Sequence, residues 1–129
     1  MSQLKLLNKK IIISAAADGI GWSIAQECML NGAIVYLTDK NNESLDEISK
    51  HDLYEKQLFL DKVNAHDAQE VENYFIKIKN NVDNIDALIN NVGIAGPTGK
   101  LEELNINDWK ETIDININSH FYYTKFSIP

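Results

Sequence analysis

The stretch Ser14-Ala15-Ala16-Ala17-Asp18-Gly19-Ile20-Gly21 joins a β-branched run to a segment with helical periodicity. Small side chains at a strand-to-helix turn let an anion approach main-chain N–H groups at the helix N-terminus, where they lack intrahelical partners. A pyrophosphate suits such a loop. A carboxylate ending the next strand adds a second chemistry, because it accepts hydrogen bonds from ribose hydroxyls. Asp39 stands there, eighteen residues after Gly21. The competing reading is a tight strand-to-helix turn with no ligand. It explains the small residues but not an acid in register with them.

The elements that must hold these residues are legible from hydrophobic spacing. Residues 10–14 (KIIIS) run apolar without alternation, as in a strand buried on both faces. Ile20, Ile24 and Cys28, with Ala25 and Met29 beside them, mark one face of a helix, and Asn31-Gly32 ends it. Residues 33–38 read as a second strand reaching Asp39, residues 42–50 as a polar helix and residues 57–60 as a third strand. Val71, Phe75, Ile78 and Val82 step as a helical stripe, and residues 85–89 make a fourth strand. Residues 90–99 are a loop with three Gly and Pro97. Ile106, Trp109, Ile113, Ile117 and Phe121 mark one long helix, with Asn107 as its cap. The alternation of strands and helices predicts an α/β fold: a three-layer, Rossmann-type parallel sheet of about four strands, half of a doubly wound domain.

Composition narrows the function classes. The chain has 129 residues, 44% hydrophobic and 24% charged, which fits one ordinary globular domain. Its formal net charge is −7 without clustered Lys or Arg, which argues against nucleic acid as a partner. The single cysteine, Cys28, precludes an internal disulfide, fits a reducing compartment and reads as packing inside an apolar helix. The N-terminal apolar run is too short for a membrane span and lacks a signal-peptide pattern. The expectation is a cytoplasmic protein that does not engage a membrane. His66 has no second His or Cys at metal-site spacing, so no metal is expected, and it reads as a surface residue.

Several segments carry a family resemblance. The loop resembles the TGxxxGxG fingerprint of the ordinary, non-extended short-chain dehydrogenases/reductases: Ser14 takes the Thr position, Gly19 and Gly21 match, and Ala15 replaces the first Gly. Asn90-Asn91-Val92-Gly93 resembles the family's NNAG motif. Val63-Asn64-Ala65-His66-Asp67 resembles its Asp-Val-Thr-Asp segment, and Asp114-Ile115-Asn116-Ile117 resembles the helix that carries a structural and catalytic Asn. The resemblance implies an oxidoreductase that moves hydride between NAD(P) and an alcohol or carbonyl substrate.

It also implies residue roles. The dinucleotide would be held by Ser14, Ala15, Asp18, Gly19, Ile20, Gly21, Asp39, Lys40, Asn64, Ala65, Asn91 and Gly93. Asp39 implies NAD in preference to NADP, since a carboxylate repels a 2′-phosphate; Lys40 beside it softens that repulsion. Asn64 would accept from the adenine amino group, with Asp61 as the alternative. Gly93 would leave room near the adenosine ribose, and Asn90 would brace the central strands. Asn116 would distort its helix and hold a water on the proton-relay path. His120 reads as packing or interface. If the Ala15 position needs positive φ, the methyl group costs on the order of 1 kcal/mol and crowds the cofactor.

The rest of the family's catalytic set, a Ser, a Tyr and a Lys four residues after it, has no counterpart here. Only Tyr36 and Lys40 have the Tyr-x-x-x-Lys spacing, and they lie on a strand. Four strand residues span about 13 Å, against about 5 to 6 Å for one helical turn, so Lys40 cannot tune Tyr36. The resemblance thus implies that residues 1–129 are an incomplete NAD(P)-binding domain, lacking the C-terminal catalytic and substrate half and inactive alone. The alternatives are a nucleotide-binding half-domain without turnover and a non-functional remnant. Expected partners are a dinucleotide, a small-molecule substrate of unspecified identity and, through the long last helix, a second copy. That helix and the fourth strand are also expected to present faces left open.

Overall fold

The computed structural model describes residues 4–51 and 56–128; Pro129 and residues 1–3 lie outside the described residues. The elements run β1 (Lys10–Ile13), α1 (Gly19–Leu30), β2 (Ile34–Asp39), α2 (Asn42–Ser49), β3 (Leu58–Lys62), α3 (Ala68–Asn81) and β4 (Ala87–Ile89). A 3-10 turn (Leu101–Glu103) precedes a helix over 106–127. That helix consists of α4 (Ile106–Ile113), a π-helical segment (Asp114–Asn118) and α5 (Ser119–Ser127). The four strands form one sheet in the order β3-β2-β1-β4, and every pairing is parallel. β1 is central, with Ile12 opposite both Tyr36 and Leu88.

The β-branched run of β1 accounts for the three layers. Successive strand side chains point to opposite faces. Ile11 and Ile13 join Ala25, Cys28 and Met29 of α1, Val35 and Leu37 of β2, and Leu45 and Ile48 of α2. Ile12 joins Val71, Tyr74, Phe75 and Ile78 of α3 and Tyr123 of α5 on the other face. The predicted three-layer fold is therefore present, with strand ends shifted by one or two residues. Fully buried Thr38 and Tyr123 share a hydrogen bond of 2.6 Å that ties β2 to α5. Desolvation by burial pushes the Tyr123 hydroxyl well above its ordinary range, against a smaller lowering effect of the Thr38 bond.

Three details differ from the spacing analysis. Ile20 is 76% exposed, and the buried face of α1 begins at Gly21 instead. The long helix is capped by Asn105, not Asn107: its Oδ1 accepts from the Asn107 and Asp108 N–H groups at 2.8 and 3.3 Å. Its apolar stripe points outward, with Ile106, Trp109, Ile117 and Phe121 all more than half exposed. The face packed on the molecule carries Ile115, Ser119 and Tyr123, spaced four residues apart. Hydrophobic spacing identified the helix, but a smaller and more polar row won the contact with the sheet.

Candidate functional site

Chain order makes the site. After β1 the chain moves outward to β2 and β3, then crosses back to place β4 on the other side of β1. Loops leaving the strand ends diverge at such a reversal and open a crevice for a ligand. The segments following β1, β2, β3 and β4 converge there on one cavity. Its wall includes Ala15, Asp39, Lys40, Asn64, Ala65 and Gly93.

The loop after β1 is built from main-chain contacts. Ser14 is fully buried; its Oγ accepts from the Asn91 N–H at 3.0 Å, so it joins the β1 and β4 loops instead of facing the cavity. The Asn91 amide nitrogen donates to the Ala15 carbonyl at 3.0 Å. Ala15 itself adopts φ 51°, the left-handed region that a Cβ resists. Asp18 occupies the N-cap of α1 without a side-chain capping bond. Main-chain donors of the first turn are thus left for an anion. Gly21 permits the turn to close: a Cβ there would lie 2.4 Å from Asn91 Nδ2 and 2.7 Å from Ala16 Cα.

Asp39 is held from two sides. Its Oδ2 accepts from the Ala17 N–H at 3.0 Å and its Oδ1 from the Asn41 N–H at 2.9 Å. Each carboxylate oxygen keeps a further lone pair for ribose hydroxyls. Asn64 lies across the cavity, and its Oδ1 is buried with no hydrogen-bond partner among the described residues. A buried acceptor without a donor costs about 1–3 kcal/mol, so the atom calls for one. Asp61, the alternative to Asn64, is paired with Lys77 Nζ at 2.6 Å and takes no part in the cavity wall.

Asn116 sits inside the π-helical segment. Its Oδ1 accepts from the Ile94 N–H at 2.7 Å, and its Nδ2 donates to the Ile94 carbonyl at 2.8 Å. The side chain thereby clamps the loop after β4 to the long helix, and π bulges are frequent at functional sites. His120, one turn on, donates through Nε2 to the Val92 carbonyl at 2.8 Å. Asn90 bonds Thr124 of α5 at 3.2 Å, a strand-to-helix contact instead of the expected brace between strands.

Spacing analysis overlooked Val63, Val92, Ile94 and Ile115, and read His66 as a surface residue; all five line the cavity. Four of them sit within a few residues of the ends of β3 or β4, which is the signal that could have found them. Tyr36 and Lys40 are not brought together as a catalytic pair. Tyr36 stacks on Phe59 at 5.1 Å, and burial raises its hydroxyl pKa, the reverse of what a proton-relay tyrosine needs. No group of three His, Cys, Asp or Glu able to hold a metal occurs among the described residues, and no helix there is long and apolar enough to cross a membrane.

Comparison with known proteins agrees with this geometry. The short chain dehydrogenase family model matches residues 9–129. Cyclohexanol dehydrogenase of Acinetobacter sp. is 32% identical over 130 residues, covering 97% of this chain and 50% of that protein. Meso-2,3-butanediol dehydrogenase of Serratia marcescens is 28% identical, covering 95% and 48%. The crystal structure of a short-chain dehydrogenase from Shigella flexneri complexed with NADP superimposes with a TM-score of 0.88 at 26% identity, covering 98% of this chain and 55% of that one. This chain thus spans about half the length of these relatives. With the family model matching nearly from end to end, the chain belongs to the short-chain dehydrogenase family.

Proposed function

We propose that this chain is the dinucleotide-holding half of an oxidoreductase that exchanges hydride between NAD(P) and an alcohol or carbonyl substrate, with NAD preferred. The observation that carries the reading is Asp39, anchored by two main-chain N–H groups at the rim of a cavity it shares with Ala15 and Asn64. Residues fit the cofactor at both ends. The open first turn of α1 suits a pyrophosphate, and the orphaned Asn64 oxygen suits an exocyclic amino group. Bound there, the nicotinamide ring would give or take the hydride.

The chain's own residues bind and orient. Asp39 accepts from the ribose hydroxyls and disfavours a 2′-phosphate, while Lys40 beside it limits that penalty. Asn116 holds the Ile94 main chain and keeps the helix in its π turn. Proton transfer at the substrate oxygen requires an acid–base group of suitable pKa. Tyr36, the one tyrosine with a lysine four residues after it, lies in β2 and stacks on Phe59, and burial raises its hydroxyl pKa. We expect the 129 residues alone to bind without turnover, and a binding half-domain is the second reading that this observation favours.

Calorimetric titration tests the proposal. NAD should bind, NADP should bind at least about tenfold more weakly, a difference near 1.4 kcal/mol, and Asp39→Ser should narrow the gap. No heat with millimolar NAD sinks the binding claim. NADH oxidation by the purified chain, lost in Asn116→Ala, sinks the claim of no turnover.

A further inference from the structure

The long helix meets the loop after β4 along three rungs. Asn90 Nδ2 donates to Thr124 Oγ1 at 3.2 Å, and His120 Nε2 donates to the Val92 carbonyl at 2.8 Å. Asn116 bonds the Ile94 N–H and carbonyl at 2.7 and 2.8 Å. Loop residues step by two while helix residues step by four in the opposite direction. The two steps match in length. Residues 90–94 run without a turn or bend, and two extended residues advance about 6.6 Å, against about 6 Å for four helical ones. Four α-helical residues also overshoot one turn by about 40°. The wider π-helical segment at Asp114–Asn118 takes up part of that excess between Asn116 and His120. Three side chains spaced four apart thus reach one extended segment.

We propose that His120 is a positioning residue for the dinucleotide: its bond to the Val92 carbonyl holds the loop after β4 in the shape that walls the cavity, so that the wall is ordered before the ligand arrives. This rests on the dinucleotide reading above. Val92, Gly93 and Ile94 all line the cavity that contains Asp39. Asn91, just before them, is fixed to the β1 loop through Ser14 and Ala15. Ile94 is clamped by Asn116. Gly93 has no side chain to anchor it, and His120 supplies an anchor between the two fixed points. His120 itself is not part of the cavity wall, so it acts on the ligand through the loop.

The partner sets the role of the ring nitrogen. A main-chain carbonyl only accepts, so Nε2 carries the proton. Neutral imidazole in that tautomer and charged imidazole both offer the donor, so the rung holds in either state. A wall that must be immobilised on binding weakens affinity, and a wall already held does not.

Titration of the 129-residue chain with NAD, together with its melting transition and amide hydrogen exchange, tests this. His120→Phe fills similar space but cannot donate. It should weaken NAD by about fivefold or more. It should also speed exchange at Gly93 and Ile94 while β1 stays protected, and millimolar NAD should slow that exchange again. His120→Gln, whose amide donates at similar reach, should return NAD affinity to within about twofold of the native value and restore the exchange pattern. Thr124→Val cuts the rung at Asn90, which lies outside the cavity wall, and should change NAD affinity by less than about twofold. Unchanged NAD affinity or unchanged loop exchange in His120→Phe overturns the proposal and leaves the dinucleotide reading intact. Weakening that His120→Gln does not reverse, that Thr124→Val equals, or that follows a lowered melting transition in every variant shows general support of the helix and also overturns it. Absence of NAD binding by the native chain overturns both.

Discussion

Ala15 holds φ at 51° in the turn where the resembling fingerprint has glycine. The chain tolerates this because the Ala15 carbonyl is fastened by Asn91 and the neighbouring Ala16 is fully buried. A non-glycine residue in the left-handed region costs roughly 1–2 kcal/mol. Ala15→Gly relieves this but loosens the unfolded chain, so a net gain of about 1 kcal/mol is expected, raising the melting temperature by about 3–5 °C. Calorimetric melting checks it, and an unchanged or lower transition would contradict the strain. The same change removes a methyl group from the cavity wall and should tighten NAD binding. Gly21 lies at the opposite extreme. Gly21→Ala puts a methyl group into Ala16 and Asn91 and should cost about 1–3 kcal/mol, read as a lower denaturant midpoint. The substitution at Ala15 was legible in the sequence; its dihedral angle was not, because φ is set by how the loop closes against Asn91.

At the scale of elements, the strands of this parallel sheet were legible because burial on both faces leaves continuous apolar runs. The third helix was legible from its stripe, where Val71, Phe75 and Ile78 are all buried. The long helix was legible as a helix but not in its orientation. Its strongest apolar row is exposed, and the row that packs on the sheet includes Ser119, whose Oγ donates back to the Ile115 carbonyl. Its cap lay two residues before the expected one, since Asn105 and Asn107 are equally good capping residues and only the chain's path separates them. Asn105→Ala should therefore cost about 1 kcal/mol, while Asn107→Ala should be nearly neutral. Equal losses in urea unfolding would refute the assignment. Asn116→Ala removes both bonds to Ile94. It should speed amide hydrogen exchange at Ile94 and in the π-helical segment while leaving β1 protected.

For the molecule as a whole, alkaline pH is a probe of packing. Tyr74 and Tyr123 are held above the ordinary tyrosine range, chiefly by desolvation. In the unfolded chain both would ionise near pH 10. The folded state keeps its protons beyond that point, so folding is fully supported below about pH 10 and weakens as pH rises above it. Tyr123→Phe should flatten this alkaline decline in chemical denaturation profiles. It should also lower stability at neutral pH by about 1–3 kcal/mol, because Thr38 loses its buried partner. An unchanged alkaline slope would show that Tyr123 is not held away from water. The sequence by itself determined the α/β order, the small-residue loop after β1, the acid after β2 and the family likeness. These depend on local spacing, and local spacing survives in a one-dimensional string. Only the tertiary structure decided that Ser14 Oγ accepts from the Asn91 N–H, that Asn64 keeps an orphaned oxygen, and that His66 stands beside it in the cavity. Those facts arise where four strand ends meet at the reversal of chain order, and the distances among separate loops are fixed by packing of the sheet between its helical layers.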